Sequence, residues 1–485
     1  MTLIPDPSIQ PILPDGLVAV VKRDCPTCEL VAPALSELQQ GIGATIYSQD
    51  DPGFPGGLTV IDDTDLSVSW HHDIETVPTL IRVEDGVEIE RIVGWDRDRW
   101  QAFTAEPGLG EELTEYRPGC GSLSVDPSLV DELRVRFGGS RVRGRRIEIA
   151  ELEDEFESMF DRGWSDGLPL VPPTEARVTR MLEGTTRAPD DLVAIVPPDL
   201  VSCTVEKVAI NAVMAGCRPE YLPVVLAAVE AACTDEFNMH GLLATTMPVG
   251  PILIVNGPIG KAIGMNSGGN VFGQGNRANL TIGRALQLVI RNVGGGRPGE
   301  VDRAAHGNPG KLSFCFSEDE ELSPWEPLST DFGIEPGTDA ITIFPGEGPK
   351  LIVDQLSRDP ESLTRTLAVN LKVMHHPKLA IGFDVILAIG PEHSRIYRQA
   401  GWTKAQLVAR LHELLQLEGD DMIRGAGGIA EGLPEMLAGS TVPKFRPEGI
   451  LIVHCGGGAG LFSAMIGGWV NGPKGSDPVC RPIQP

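Results

Sequence analysis

Nowhere in this chain do about 18 apolar residues follow one another without interruption, so no membrane-spanning helix is expected. The opening residues, MTLIPDPSIQPILPDG, lack the cationic start and apolar core of a signal peptide. With both features missing, the expectation is a cytoplasmic protein. Positive charge is scarce as well: 40 Lys and Arg stand against 67 Asp and Glu, a formal net charge of −27. A field of that sign repels phosphate, which argues against nucleic acid and anionic membranes as partners. The dinucleotide pattern GxGxxG and the P-loop pattern GxxxxGK[ST] are both absent, and no short-period repeat is found. An even, closely spaced cysteine set is missing too. The nine cysteines (25, 28, 120, 203, 217, 233, 315, 455 and 480) are odd in number and scattered. They read as free thiols with one redox pair and not as a disulfide framework.

What is present is ordinary for a globular protein, 41% hydrophobic and 22% charged. At 485 residues the chain is too long for one core, so two or three domains are expected. Residues 17–22 (LVAVVK) read as a buried strand and are followed at once by Cys25-Pro26-Thr27-Cys28. Apolar residues at Leu30, Val31, Leu35 and Leu38 then give a helical spacing over 29–40. A second strand is expected at 44–47 and a short helix over 63–70 behind an Asp/Thr cap. Two strands at 79–83 and 88–93 share the turn Glu84-Asp85-Gly86, and a helix over 96–103 closes the series. Residues 106–120 (EPGLGEELTEYRPGC) are rich in Gly, Pro and acid and read as a linker. Beyond it, 121–485 alternates strand-like runs (252–255, 340–343, 385–389, 450–453) with helical stretches (205–215, 222–233, 279–293, 404–415). The expected class is therefore α/β throughout, the second region forming one domain or two subdomains.

A Cys-x-x-Cys at the exit of a strand puts its first thiol at the N-terminus of the next helix. Free N–H groups and the helix dipole favour a thiolate there, which makes Cys25 the nucleophile and Cys28 the resolving thiol. Zinc is the alternative use of such a pair, but it needs a second ligand pair nearby, and His71-His72 is a poor one. The dithiol between strand and helix, with Val77-Pro78-Thr79 ahead of the third strand, resembles the thioredoxin family over residues 10–105. The resemblance implies that Pro78 is the cis proline facing the cysteines, with Cys25 the attacking and Cys28 the resolving thiol. The dipeptide Pro26-Thr27 replaces the familiar Gly-Pro, which leaves the direction of redox work open.

Five further segments are candidates for the chemistry of the larger region. Cys120, in Arg117-Pro118-Gly119-Cys120-Gly121-Ser122, lies between glycines beside an Arg that would lower its pKa; a linker thiol without function is the plainer explanation. Residues 163–173 (GWSDGLPLVPP) form a rigid turn in which Trp164 and Asp166 would shape a pocket wall or a structural contact. In 256–284 a strand runs into a Gly/Asn loop and then a helix. There Asn266, Ser267, Asn270, Asn276 and Arg277 suit a carboxylate or other anion. Residues 450–469 (ILIVHCGGGAGLFSAMIGGW) read as a strand, a glycine run and a helix, which makes Cys455 the second choice of reactive thiol. Around Cys315, His306 and Glu318 are a candidate acid and base, although Glu318 to Glu321 is most simply a solvated turn. Cys203, Cys217 and Cys233 read as core.

The 117–122 segment and the 163–169 run resemble the bacterial UGSC (seleno)protein family, in which a cysteine or selenocysteine precedes Gly-Ser-Cys. Here Leu123 stands where the second cysteine would be, and the resemblance implies only that Cys120 reacts.

The expected function is a thiol-dependent oxidoreductase. A large-domain thiol (Cys120, then Cys455 or Cys315) attacks a small electrophilic molecule, and the fused dithiol reduces it back; fusion raises the effective concentration of reductant to the millimolar range or so. No resident cofactor is expected beyond the redox-active disulfide, and an external thiol or disulfide reductase would recycle it. A homo-oligomer is compatible with the many Gly loops. The alternatives are a lyase or transfer protein for a soft metal or organometal, a protein disulfide reductase, and a redox sensor.

Overall fold

The computed structural model describes residues 10–138, 142–147, 149, 153–428 and 432–484; the first nine residues of the N-terminal reading lie outside them. The chain is α/β and divides into two compact units. One runs to Val142 and includes Thr174–Thr179; the other comprises Arg143–Pro173 and Arg180–Pro485.

In the first unit, β1 (Gly16–Val21) is apolar and almost wholly buried. It ends just before α1 (Pro26–Gly41), whose N-cap is Cys25 and whose first residue is proline, where a missing N–H costs nothing. There follow β2 (Thr45–Ser48), β3 (Val60–Asp62) and α2 (Ser67–His71). After them come β4 (Thr76–Val77), β5 (Thr79–Glu84), β6 (Val87–Val93), β7 (Trp95–Asp96) and α3 (Arg97–Thr104). The sheet has the order β3-β2-β1-β5-β6. Its β1, β2 and β3 run parallel, and β5 and β6 are added antiparallel. The α2 helix starts later than the sequence suggests, because Asp63 does not begin it. The Asp63 carboxylate instead reaches forward to accept the N–H groups of Val68 and Ser69 at 2.8 and 3.1 Å.

The expected linker is folded. In residues 106–120, Leu109 is 2% exposed and Leu113 packs beside it. The indole N–H of Trp95 donates to Thr114 O at 2.5 Å, and Arg97 N donates to Glu115 O at 2.9 Å. Two short strands, β8 (Tyr116–Arg117) and β9 (Cys120–Gly121), then pair with β7 and β4. The unit closes with α4 (Val130–Phe137), whose Leu133 and Phe137 bury against Leu66 and Trp70. Cys120 therefore belongs to the dithiol's own unit and not to the larger one.

The second unit is built on a mixed eight-stranded sheet. One half pairs Gly250–Asn256 with Cys315–Ser317 in parallel and with Ala340–Gly346 antiparallel. The other places Phe383–Ile389 between Ile450–His454 (parallel) and Phe462–Val470 (antiparallel). Gly346 opposite Gly468 joins the halves. The expected helix after the glycine run at 456–460 is not formed: Phe462–Val470 is a strand at the centre of the sheet. Helices Val205–Ala215, Leu222–Ala232 and Arg277–Asn292 pack together beside the first half. Pro360–Lys372, Pro391–Ala400 and Lys404–Leu414 form the corresponding group at the second. Among the described residues no helix is long and apolar enough to cross a membrane.

Candidate functional site

Cys25 stands past the C-terminal end of β1, at the first turn of α1, the usual position for reactive groups in an open α/β sheet. Its φ and ψ of −148° and 109° are extended, which turns its sulfur back over the helix end to accept the Cys28 N–H at 3.3 Å. The Val77–Pro78 peptide, cis in this structure, lies alongside, with Cys25 Sγ 3.6 Å from Val77 O. Beside Cys25 is also the third thiol, Cys120, with the two sulfurs 2.8 Å apart.

Three features hold Cys120 there. Its strand pairs with β4, Val77 opposite Cys120 and Thr76 opposite Gly121. Gly119 passes so close to the same segment that a methyl group on it would lie 2.3 Å from Thr76 Cγ2 and 3.0 Å from Val77 O. Beyond Cys120 a buried polar chain anchors the strap. Asp63 accepts the Ser69 hydroxyl, Gln49 donates to both Ser69 and Ser122, and Leu123 N donates back to Gln49 Oε1. Ser124 Oγ completes it by donating to Ile74 O at 2.6 Å.

The electrostatics separate the three thiols. Cys25 is lowered from 9.0 to about 5: S–H donation from Cys28 is the largest cause, and donation from Cys120 and the N–H groups of Cys28 and Thr27 add to it. Burial opposes this shift and is outweighed. Cys28 is pushed strongly up by burial and by its bond to Cys25. Cys120 is also raised, by burial first and then by donation to Cys25. Arg117, expected to lower it, is exposed and plays no part in that balance. At neutral pH the cluster thus carries one negative charge, on Cys25, flanked by two thiols. Cys25 is 1% exposed and Cys28 fully buried, while Cys120 is partly open to solvent.

The thiols of the second unit are different. Cys455 and Cys315 are buried, and burial pushes both well above an ordinary thiol, with no cation or helix terminus to compensate. Cys203, Cys217 and Cys233 are each pushed up to about 12 for the same reason. These are thiols held neutral in the core, which removes the basis for expecting Cys455 or Cys315 to react.

The expected binding residues of the second unit are mostly occupied in holding its loops. Asp166 forms a two-point ion pair with Arg284 at 2.7 and 2.8 Å, and Arg284 also donates to Leu168 O and Pro169 O. Trp164 has Arg162 over its ring at 5.9 Å. The Asn279 side chain accepts from Asn266 N and donates to Asn266 O, Asn276 caps the helix at Arg277, and Arg277 donates to Gly216 O. Ser267 O receives Gly456 N–H, which ties the 256–284 loop to the glycine run. Where these loops meet is a cleft of about 390 Å³ lined by Asn270, Phe272, Ala388, Cys455, Gly457 and Phe462 among others. His306 is exposed, whereas Glu318 is 5% exposed. Glu318 accepts from Asn256, Leu328 N and His454 N, so it is a buried anchor and not a solvated turn. Among the described residues no group of three His, Cys, Asp or Glu is placed to hold a metal ion.

No protein-family model matches this chain, and no curated protein matches it.

Proposed function

We propose that the first unit is a thioredoxin-like thiol–disulfide oxidoreductase with three working thiols, and that it reduces a small-molecule disulfide or comparable sulfur electrophile through Cys120. The observation that carries this reading is the cluster itself: a stabilised Cys25 thiolate with one buried and one accessible thiol as neighbours. As Cys120 attacks the substrate RSSR, its proton passes 2.8 Å to the Cys25 thiolate. The products are Cys120–S–S–R and RS⁻, which takes that proton and leaves as RSH. Cys25, again a thiolate, attacks the Cys120 sulfur and expels the second RS⁻, giving a Cys25–Cys120 disulfide. Cys28 gives its proton to that RS⁻, attacks Cys25 and releases Cys120 as a thiolate. The sum is RSSR plus two thiols going to two RSH plus a Cys25–Cys28 disulfide. An external dithiol reductase recycles it, which suits a reducing cytoplasmic setting.

The test is turnover of a small disulfide such as oxidised glutathione, driven by an excess of dithiol. The wild-type chain turns over repeatedly. Without added dithiol Cys28→Ser consumes one equivalent of disulfide and stops at the Cys25–Cys120 disulfide, and in turnover Cys25→Ser and Cys120→Ser each lose at least about tenfold in rate. Wild-type activity in Cys120→Ser would return the chain to a plain two-thiol reductase.

A further inference from the structure

We infer that Thr27 is the positioning residue for the third thiol: its hydroxyl holds the Cys120 strap by Pro118 O, and its N–H and hydroxyl receive Cys120 when that sulfur becomes a thiolate. This rests on the relay proposed above and assigns one member of the Cys-x-x-Cys dipeptide a task within it. Thr27 is 1% exposed, in the first turn of α1, and its Oγ1 donates to Pro118 O at 2.7 Å, two residues before Cys120. That bond ties the first turn of the helix directly to the strap. The Thr27 backbone N–H and hydroxyl both act to stabilise a charged Cys120, against burial and the neighbouring Cys25 charge. A free N–H in the first turn of a helix has no partner within the helix, so it is available to an anion. When Cys28 attacks Cys25 of the Cys25–Cys120 disulfide, Cys25 stays uncharged in the new disulfide and Cys120 leaves carrying the negative charge. The hydroxyl that held Pro118 O is then within reach of a stronger acceptor. A glycine or proline at position 27 would offer neither the hydroxyl nor this hold.

The experiment uses the full chain oxidised to the Cys25–Cys28 disulfide, in which Cys120 is the free thiol of the cluster. Its alkylation by iodoacetamide is followed against pH and read at the Cys120 peptide by mass spectrometry. Thr27→Val keeps the shape and removes the hydroxyl; the midpoint should rise by about one pH unit, a tenfold loss of thiolate. Thr27→Ser should restore it. The Cys25 thiolate titration in the reduced protein should be unchanged in both, because the N–H groups remain. Thr27→Ala, also without the hydroxyl, should behave as Thr27→Val if the latter fails to fold. A Cys120 midpoint indifferent to all three substitutions overturns this inference and leaves the relay standing. Failure of Cys28→Ser to form any Cys25–Cys120 disulfide, whatever stands at 27, overturns the relay itself.

Discussion

Replacing Gly119 by alanine tests whether the strap's approach is what makes Cys120 a partner of Cys25. The added methyl would lie 2.3 Å from Thr76 Cγ2, 3.0 Å from Val77 O and 3.3 Å from Gly94 Cα. Carbon atoms in contact settle at roughly 3.5–4.0 Å, so the strap must back away by more than about 1 Å. Thr76 cannot yield easily, being in β4 opposite Gly121, and Gly94 answers with its own tight approach, 2.8 Å from a would-be Cβ to Gly119 N. Overpacking of this kind costs about 1–3 kcal/mol, and the displaced sulfur loses its place beside Cys25. The control is two residues away: a methyl on Gly121 meets nothing within 4 Å. In a Cys28→Ser background, mild oxidation followed by peptide mapping should give the Cys25–Cys120 disulfide at least about tenfold more slowly for Gly119→Ala. Gly121→Ala should stay within about twofold of the parent. Equal rates for the two alanine variants would refute the argument that backbone contact sets the thiol pair.

Further expectations concern charge and packing. Ultraviolet titration of reduced protein should show one thiolate with a midpoint near 5, moving upward in Cys28→Ala and Cys120→Ala because each removes a donor from Cys25. Asp63, fully buried, is raised from 3.8 to about 6, chiefly by desolvation. A carboxyl raised on folding contributes its stability below its unfolded value and loses it as pH climbs through the folded one. The wild type's resistance to urea should therefore fall between about pH 4 and 6 relative to Asp63→Asn, by at most about 3 kcal/mol. Cys315 and Cys455 should resist alkylation in the native protein at neutral pH and react once it is unfolded. Arg284→Met should strand Asp166 in a site only 12% exposed and cost about 3 kcal/mol in thermal unfolding, the change lying in the second unit.

The local parts of this architecture are written locally. An uninterrupted apolar run before Cys25 and a helical spacing after it are enough to put the dithiol between β1 and α1. Helices such as Val205–Ala215 follow from their periodicity in the same way. What sequence reading missed is long-range. Residues 106–120 look like a linker by composition, yet Leu109 and Leu113, four apart, fasten it to Trp95, a contact no local pattern announces. The spacing of glycines at 94 and 119 holds the signal for the strap, but only once the two backbones are known to cross. The strand Phe462–Val470 reads as a helix in the sequence because a central strand buried on both faces shows no alternation, and a glycine run ahead of it suits either element. Glu318, in a run of four acids, looks solvated until its three buried partners are seen.

The central claim is that Cys25 passes its electrons to Cys120, and trapping the intermediate tests it most directly. Reduced Cys28→Ser protein is given one equivalent of a small disulfide, quenched with acid and mapped by mass spectrometry. The account predicts a Cys25–Cys120 disulfide as the main product, with two equivalents of small thiol released, and a Cys25–Cys28 disulfide in the wild type under the same conditions. A stable mixed disulfide left on Cys120, with Cys25 still free, would contradict it.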